Sequence, residues 1–480
     1  MTRRDDIPLL SIIIMAAVPA VLLGGLWQYA EANEPPPTTA PPPTTVPPPP
    51  APELTTDLMS MRRHPTPIAK EAAAAEEERR TAALADDLTA MIGPTACVTL
   101  RRDADVLYDV GGDRPLIPAS NMKLPVAAVA LAVLGRDFRF RTELQSSPPV
   151  DGVVTGDVYL VGGGDPVLVT SDYVDPLRYP AFNTTVIDGL ADQLVTAGVA
   201  RIEGDIVGDG SRYDDEFRVP TWSDAITNFD AGPYDALLVN DGSIGNGNFG
   251  IVPAQSAANI MLDLIRSRGI TVTGSSRNDP TPADAGLTTL ALVESAPLTD
   301  VLVEMLHTSD NNTAELLLKE IGVRTSGQGT RAAGAAAVAQ QLATWGVRTD
   351  LLTLVDGSGL SRDDRLTCEA LSSILATSPV ADELWPLLPV AARDGTLADQ
   401  FVGTPADGEL VAKTGTLTGV KALSGVMDGA DDRPIEFSLL LNGDGVDQAE
   451  VYLPYWNEVV DLIGRYPVVV EPDVAPFEPR

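Results

Sequence analysis

The 480-residue sequence predicts a mixed fold, α/β in content and segregated (α+β) in arrangement. Three observations predict it. Short strand-like runs open and close the folded part, at 96–110 and 409–442. Ala- and Leu-rich stretches of helical character lie between them, at 126–134, 298–321 and 332–344. A third texture fills about 143–290, where Gly, Asp and Pro punctuate short apolar runs, as in a β-rich module.

At the N-terminus, Arg3 and Arg4 precede an uncharged run from Ile7 to Trp27. That run is near the ~20 residues a bilayer-spanning helix needs, and the arginines place its start in the cytoplasm. Residues 1–30 therefore read as a cytoplasmic tip and a membrane anchor. Ala30-Glu31-Ala32 offers the alternative of cleavage and secretion. Either way the body of the protein is exported. Residues 31–65 are rich in Pro and Thr, a semi-rigid polyproline spacer. Residues 66–91 read as an exposed helical lead-in.

The folded part begins near residue 92. Ala96–Leu100 and Val106–Val110 read as a hairpin turning through Arg101–Asp105. The loop after it reaches Ser120-Asn121-Met122-Lys123, followed by a run of Val, Ala and Leu to Leu134. A helix apolar on every side is a buried helix. Ser120 and Lys123, three apart in its first turn, share a face. Burial and the positive helix end both disfavour an ammonium. A lysine made neutral that way is a base for the serine hydroxyl.

Within 146–289, the runs at 156–161, 202–207 and 236–239 read as strands, with helices near 179–197 and 256–268. Gly162-Gly163-Gly164-Asp165-Pro166 reads as a tight turn. Beyond the module, Pro297–Ile321 reads as two helices parted by the polar break Thr308-Ser309-Asp310-Asn311-Asn312, which offers a hydroxyl and an amide on projecting positions. His307 reads as structural, with no acid partner evident. In Glu409–Leu417, a strand, Lys413 and Gly415 share one face and Thr414 and Thr416 the other. Two more strands (420–428, 435–442) and an amphipathic helix (446–463) close the fold.

Composition excludes several classes. A formal charge of −34 argues against nucleic-acid binding. Two histidines, His64 and His307, exclude a metal site built on several histidines. No phosphate-loop, zinc-protease or nucleophile-elbow motif occurs, and no cofactor is implied. The two cysteines, Cys97 and Cys368, pair or stay as free buried thiols; in an exported chain pairing is favoured.

Ser120-Asn121-Met122-Lys123, Ser309-Asp310-Asn311 and Lys413-Thr414-Gly415 together match the S-x-x-K, S-D-N and K-T-G set of serine penicillin-binding proteins and β-lactamases. The long stretch between the first two motifs, and the wording at 115–123, 161–166, 356–362 and 393–397, resemble the class C low-molecular-mass penicillin-binding proteins, D-alanyl-D-alanine carboxypeptidases and endopeptidases. The resemblance covers about 92–468. It implies the penicillin-binding/β-lactamase-like transpeptidase fold, with an antiparallel sheet flanked by helices, an all-helical part, and the inserted module apart from the cleft. It also implies an order of chemistry. Ser120 attacks the penultimate D-alanine carbonyl of a peptidoglycan stem peptide and Lys123 takes its proton. Ser309 relays a proton to the leaving nitrogen, supported electrostatically by Lys413. The N–H groups of Ser120 and Thr416 form the oxyanion hole. Asn311 holds the substrate amide, Thr414 and Thr416 its carboxylate, and Gly415 leaves room for the ligand backbone.

The expected organisation is then a peptidase domain of 92–145 and 290–468, an insert at 146–289 and a tail at 469–480. The expected partners are stem peptides and β-lactam inhibitors, with the membrane reached through the N-terminal helix. A β-lactamase or esterase on the same scaffold and a non-catalytic wall-binding protein are the competing readings.

Overall fold

A computed structural model describes residues 86–173, 183–244, 248–283 and 286–467. The anchor, the Pro-rich spacer, most of the lead-in and the C-terminal tail lie outside the described residues. Among those described, no helix is long and apolar enough to cross a membrane.

Five strands form the central sheet: β1 (Ala96–Arg102), β2 (Asp105–Val110), β3 (Val411–Leu417), β4 (Val420–Asp428) and β5 (Pro434–Asn442). Their order is β3-β4-β5-β1-β2, antiparallel throughout, so the first strand pairs with the last. The first hairpin is tighter than the sequence predicts. β1 runs on to Arg102, and the chain turns through Asp103, at φ +55, and Ala104.

Alternation gives the sheet two apolar faces. One face carries Cys97, Ala422 and Leu440 and packs on the helical part. The other carries Val98, Leu423, Leu439 and Leu441 and is covered by Trp456, Val459 and Ile463 of the C-terminal helix, Ala449–Arg465. A disulfide, Cys97–Cys368, joins β1 to a helix of the first layer, Cys368–Thr377.

That layer is organised around α1 (Lys123–Leu134), in which every residue from Lys123 to Leu131 is buried. Pro125 sits in the first turn, where its missing N–H would have had no helical acceptor. Gly135, at φ +86, ends the helix. Against it pack α2 (Leu298–Thr308) and α3 (Asn311–Ser326). The polar break between them is sharp. Ser309 ends α2 in the left-handed region at φ +63, and the Asp310 side chain caps α3 by accepting from the Thr313 N–H.

The segment between α1 and α2 departs from its expected form in three ways. Its sheet starts and ends outside 146–289, since Arg141–Ser146 and Thr288–Glu294 pair with each other as its stem. It is a mixed α/β sheet, with Val158–Val161, Ile206–Asp209 and Ser276–Asn278 pairing in parallel under helices Asp188–Thr196 and Pro253–Ser267. Ala236–Val239 is no strand. It is irregular chain, buried by its side chains rather than by a ladder.

The third difference is one of position. Residues 210–243 leave that sheet and lie on the helical part. Tyr213, Trp222, Tyr234 and Leu238 share a core with Leu316 of α3 and with Leu360. Arg212 pairs with Glu320, and Lys319 with Asp214. The insertion is therefore not wholly apart from the cleft.

Candidate active site

Ser120 sits in a short 3-10 turn, Ala119–Met122, immediately before α1. The turn is reached through Ala119, a non-glycine residue at φ +47. Lys123, the first residue of α1, is fully buried. Its Nζ donates to Ser120 Oγ at 3.2 Å, to Asn311 Oδ1 at 2.8 Å and to the Ser358 carbonyl at 2.9 Å. Burial lowers its pKa from 10.5 to about 8, while Asp310, Glu315, Asp356 and Glu304 pull the other way.

The Ser358 carbonyl is held by a loop that sequence reasoning quoted without assigning a role. Glu315 Oε1 accepts from the N–H groups of Gly357 and Ser358. Asp356, fully buried, accepts from the N–H groups of Gly359 and Ser361 and from Trp222 Nε1 at 2.8 Å. Gly359, at φ +83, lies so close behind the nucleophile that a Cβ there would stand 1.8 Å from the Ala119 carbonyl oxygen.

Lys413, on β3, is also fully buried. It donates to Ser309 Oγ at 3.0 Å and to the Thr414 carbonyl at 2.8 Å. Burial first, then the charges of Lys123 and Lys421, hold its pKa well below the usual lysine value. The structure thus joins Ser120, Lys123 and Asn311 in one hydrogen-bonded group and Ser309 and Lys413 in a second, close enough that the charge of Lys123 acts on Lys413.

The other candidates on β3 are arranged by a regular ladder. Every residue from Val411 to Leu417 pairs in register with β4, with no bulge at Gly415. The Ala412 N–H turns away from β4 to bond the Pro389 carbonyl. By the same alternation the N–H groups of Thr414 and Thr416 point out from this free edge. The Thr414 hydroxyl donates to Thr396 Oγ1 at 2.7 Å. The Thr416 hydroxyl, on an exposed residue, accepts from Lys421 Nζ at 2.9 Å. Around Gly415, a Cβ would meet the Pro118 carbonyl oxygen at 2.9 Å and the Ala119 Cβ at 3.2 Å. The missing side chain lets the nucleophile's turn sit against the strand, a reason other than the room for ligand expected from sequence.

Two further expectations change. Asn311 is engaged at both ends of its amide, by Lys123 and by the Asp230 carbonyl, to which its Nδ2 donates at 2.7 Å. His307 does face an acid: its Nδ1 lies 3.5 Å from Asp394 Oδ1. Burial lowers its pKa against the pull of Asp394. Trp222, Asp230 and Glu315 carried no functional signal in the sequence; Asp356 and Thr396 lie in stretches that carry the resemblance but had no assigned role; a lysine inside the apolar run of β4 was a legible signal for Lys421. A cavity of 1190 Å³ lined by Thr170, Phe249 and Gln255 lies in the insertion, away from Ser120.

A serine hydroxyl beside a buried lysine, with a second serine bonded to a buried lysine of the edge strand, is the arrangement of a serine hydrolase. The chain belongs to the D-Ala-D-Ala carboxypeptidase 3 (S13) family, whose profile matches residues 80–246 and 251–452. It is a low-molecular-mass penicillin-binding protein and a serine peptidase. A D-alanyl-D-alanine carboxypeptidase of Actinomadura sp. (strain R39) is 32% identical over 420 residues, covering 70% of this chain and 75% of that one. A carboxypeptidase of Mycobacterium tuberculosis is 32% identical over 347 residues, covering 69% of this chain and 72% of its own length. Among solved structures, penicillin binding protein 4 of Haemophilus influenzae is similar in fold, with a TM-score of 0.69 at 21% identity over 79% of this chain and 99% of that one.

Proposed function

We propose that this chain is a penicillin-sensitive serine D-alanyl-D-alanine carboxypeptidase/endopeptidase that trims peptidoglycan stem peptides through an acyl-enzyme on Ser120. Lys123 is the base. The observation that carries this is its Nζ, 3.2 Å from Ser120 Oγ, on a buried amine with a pKa of about 8. At neutral pH an appreciable fraction of that amine is free to accept the serine proton. Ser120 Oγ bonds to the carbonyl carbon of the penultimate D-alanine. The C–N bond breaks, and the proton reaches the departing D-alanine nitrogen through Ser309. Lys413 serves that relay as an amine whose pKa is held well below the usual lysine value by burial first and then by the charges of Lys123 and Lys421. Water then cleaves the ester and restores Ser120.

The oxyanion falls to the N–H groups of Ser120 and Thr416, and the substrate's carboxylate to the threonine hydroxyls of β3. Asn311 aligns Lys123 as well as facing substrate. Incubation with a labelled penicillin, followed by mapping of the modified residue, tests the reading. Label on Ser120 with slow release supports it. Label on another serine would refute the nucleophile, and fast release would make the chain a β-lactamase.

The enzyme acts outside the cytoplasm, held there by its N-terminal helix or released near Ala32. The proposed division keeps 92–145 and 290–468 as the peptidase domain around an insert at 146–289. Membrane fractionation of the full chain and limited proteolysis test these two points.

A further inference from the structure

β4 reads Val420-Lys421-Ala422-Leu423-Ser424-Gly425-Val426-Met427-Asp428, with Lys421 the one charged residue before its terminal Asp428. Lys421 is only 9% exposed. No described carboxylate forms an ion pair with it. Its ammonium lies instead 4.1 Å from the centre of the Tyr452 ring and 5.0 Å from that of Trp456, positions in which ring quadrupoles attract a cation. Burying a charge without a counter-ion is costly, so this position has a cost that packing alone does not explain.

The ladder shows where the charge is directed. Lys421 is the direct cross-strand partner of Thr416. Its Nζ donates to Thr416 Oγ1 at 2.9 Å. A hydroxyl has one hydrogen and two acceptor lone pairs. Once the ammonium occupies a lone pair, the remaining hydrogen points away from Lys421. Thr416 is exposed at the free edge of β3, next to Gly415 and the turn that bears Ser120. The hydroxyl is thus biased to donate away from Lys421, with a buried ammonium behind it that Asp447 attracts without forming an ion pair. That is a complement to a carboxylate.

We propose that Lys421 is a positioning residue for recognition of the substrate's terminal carboxylate, acting through the Thr416 hydroxyl. The inference rests on the carboxypeptidase reading of the site. It predicts that the preference for a free C-terminal acid is set partly on the far side of the sheet from Ser120.

The test compares an N-acyl-D-Ala-D-Ala peptide with its C-terminal amide. Lys421→Met keeps the apolar stem against Tyr452 and Trp456 and removes the ammonium. Its kcat/KM ratio, acid over amide, is expected to fall about tenfold, the scale of one charge-assisted hydrogen bond. Lys421→Arg is expected to recover most of the ratio, because a cation again reaches Thr416. In the Lys421→Met background, Thr416→Val is expected to lower the ratio little further, since the two act as one unit. Lys421→Gln serves as a second variant, and penicillin-labelling stoichiometry verifies that each variant is folded. Equal losses on acid and amide, or an unchanged ratio, would overturn the proposal. A wild-type enzyme that labels with penicillin but leaves the acid peptide intact would instead overturn the carboxypeptidase reading beneath it.

Discussion

The two walls of the cleft each carry a buried lysine, and their surroundings are opposite in sign. On the helical wall, Lys123 is opposed by four carboxylates, which limit how far burial depresses its pKa. On the strand wall, burial lowers the pKa of Lys413 well below the usual lysine value, and the charges of Lys123 and Lys421 push it the same way. The charges around Lys123 therefore favour its ammonium, and those around Lys413 oppose it. In the proposed mechanism this difference suits Lys123 to act as base for the serine and Lys413 to serve the relay to the leaving group. Environment, not residue type, makes the division.

The largest expected effect breaks the helical wall. Lys123→Arg keeps the charge but cannot deprotonate at working pH, so the rate of acylation by penicillin should fall by about 10²–10⁴, the usual worth of general-base catalysis. Near-normal acylation would make Lys123 a structural charge. Lys413→Arg sharpens the contrast. It should impair peptide hydrolysis heavily if the amine relays a proton, and only mildly if the strand wall works by charge alone.

A smaller effect is read in the wild type. Because the Lys123 pKa is lowered to about 8, the base form grows with pH below that value and saturates above it. Acylation kcat/KM should therefore rise about tenfold per pH unit from 6 to 7 and bend near 8. A flat profile would place the proton elsewhere.

The smallest effect probes the support behind the helical wall. Trp222→Phe removes the indole N–H donated to Asp356 and should slow acylation by roughly two- to tenfold, the worth of about 0.5–1.5 kcal/mol for a hydrogen bond. No change in a folded variant would show that the Asp356 loop holds Ser358 unaided. Because Asp230 and Trp222 both belong to the insertion, excising 148–288 is now expected to abolish labelling, contrary to what its apparent separateness in sequence suggests.

What was legible in sequence was local. The three motifs, the buried α1 and the β3–β4–β5 meander follow from composition and period within a few residues. The arm at 210–243 was not legible, because its order comes from contacts with Leu316 and Leu360 made by irregular chain. Ala236–Val239 looked like a strand for the same reason: it is buried, but not by pairing. The acid beside His307 lies in a loop far along the chain at Asp394. The meaning of Gly415 was hidden because the group it admits is the protein's own Pro118. Lys421 was visible as an anomaly, but its partner depended on the register of β4 against β3.

The turn before Ser120 bears on how this chain can evolve. Ala119 is held at φ +47, a region that costs a non-glycine residue roughly 1–2 kcal/mol. Behind it, a Cβ at Gly359 would stand 1.8 Å from the Ala119 oxygen. A side chain at Gly359 therefore has no room, and substitution there is expected to displace the turn that bears the nucleophile. Inherited tolerance to penicillins should then arise along the rim, at the arm around Asp230 and the outer residues of β3, where side chains can vary without moving the serine.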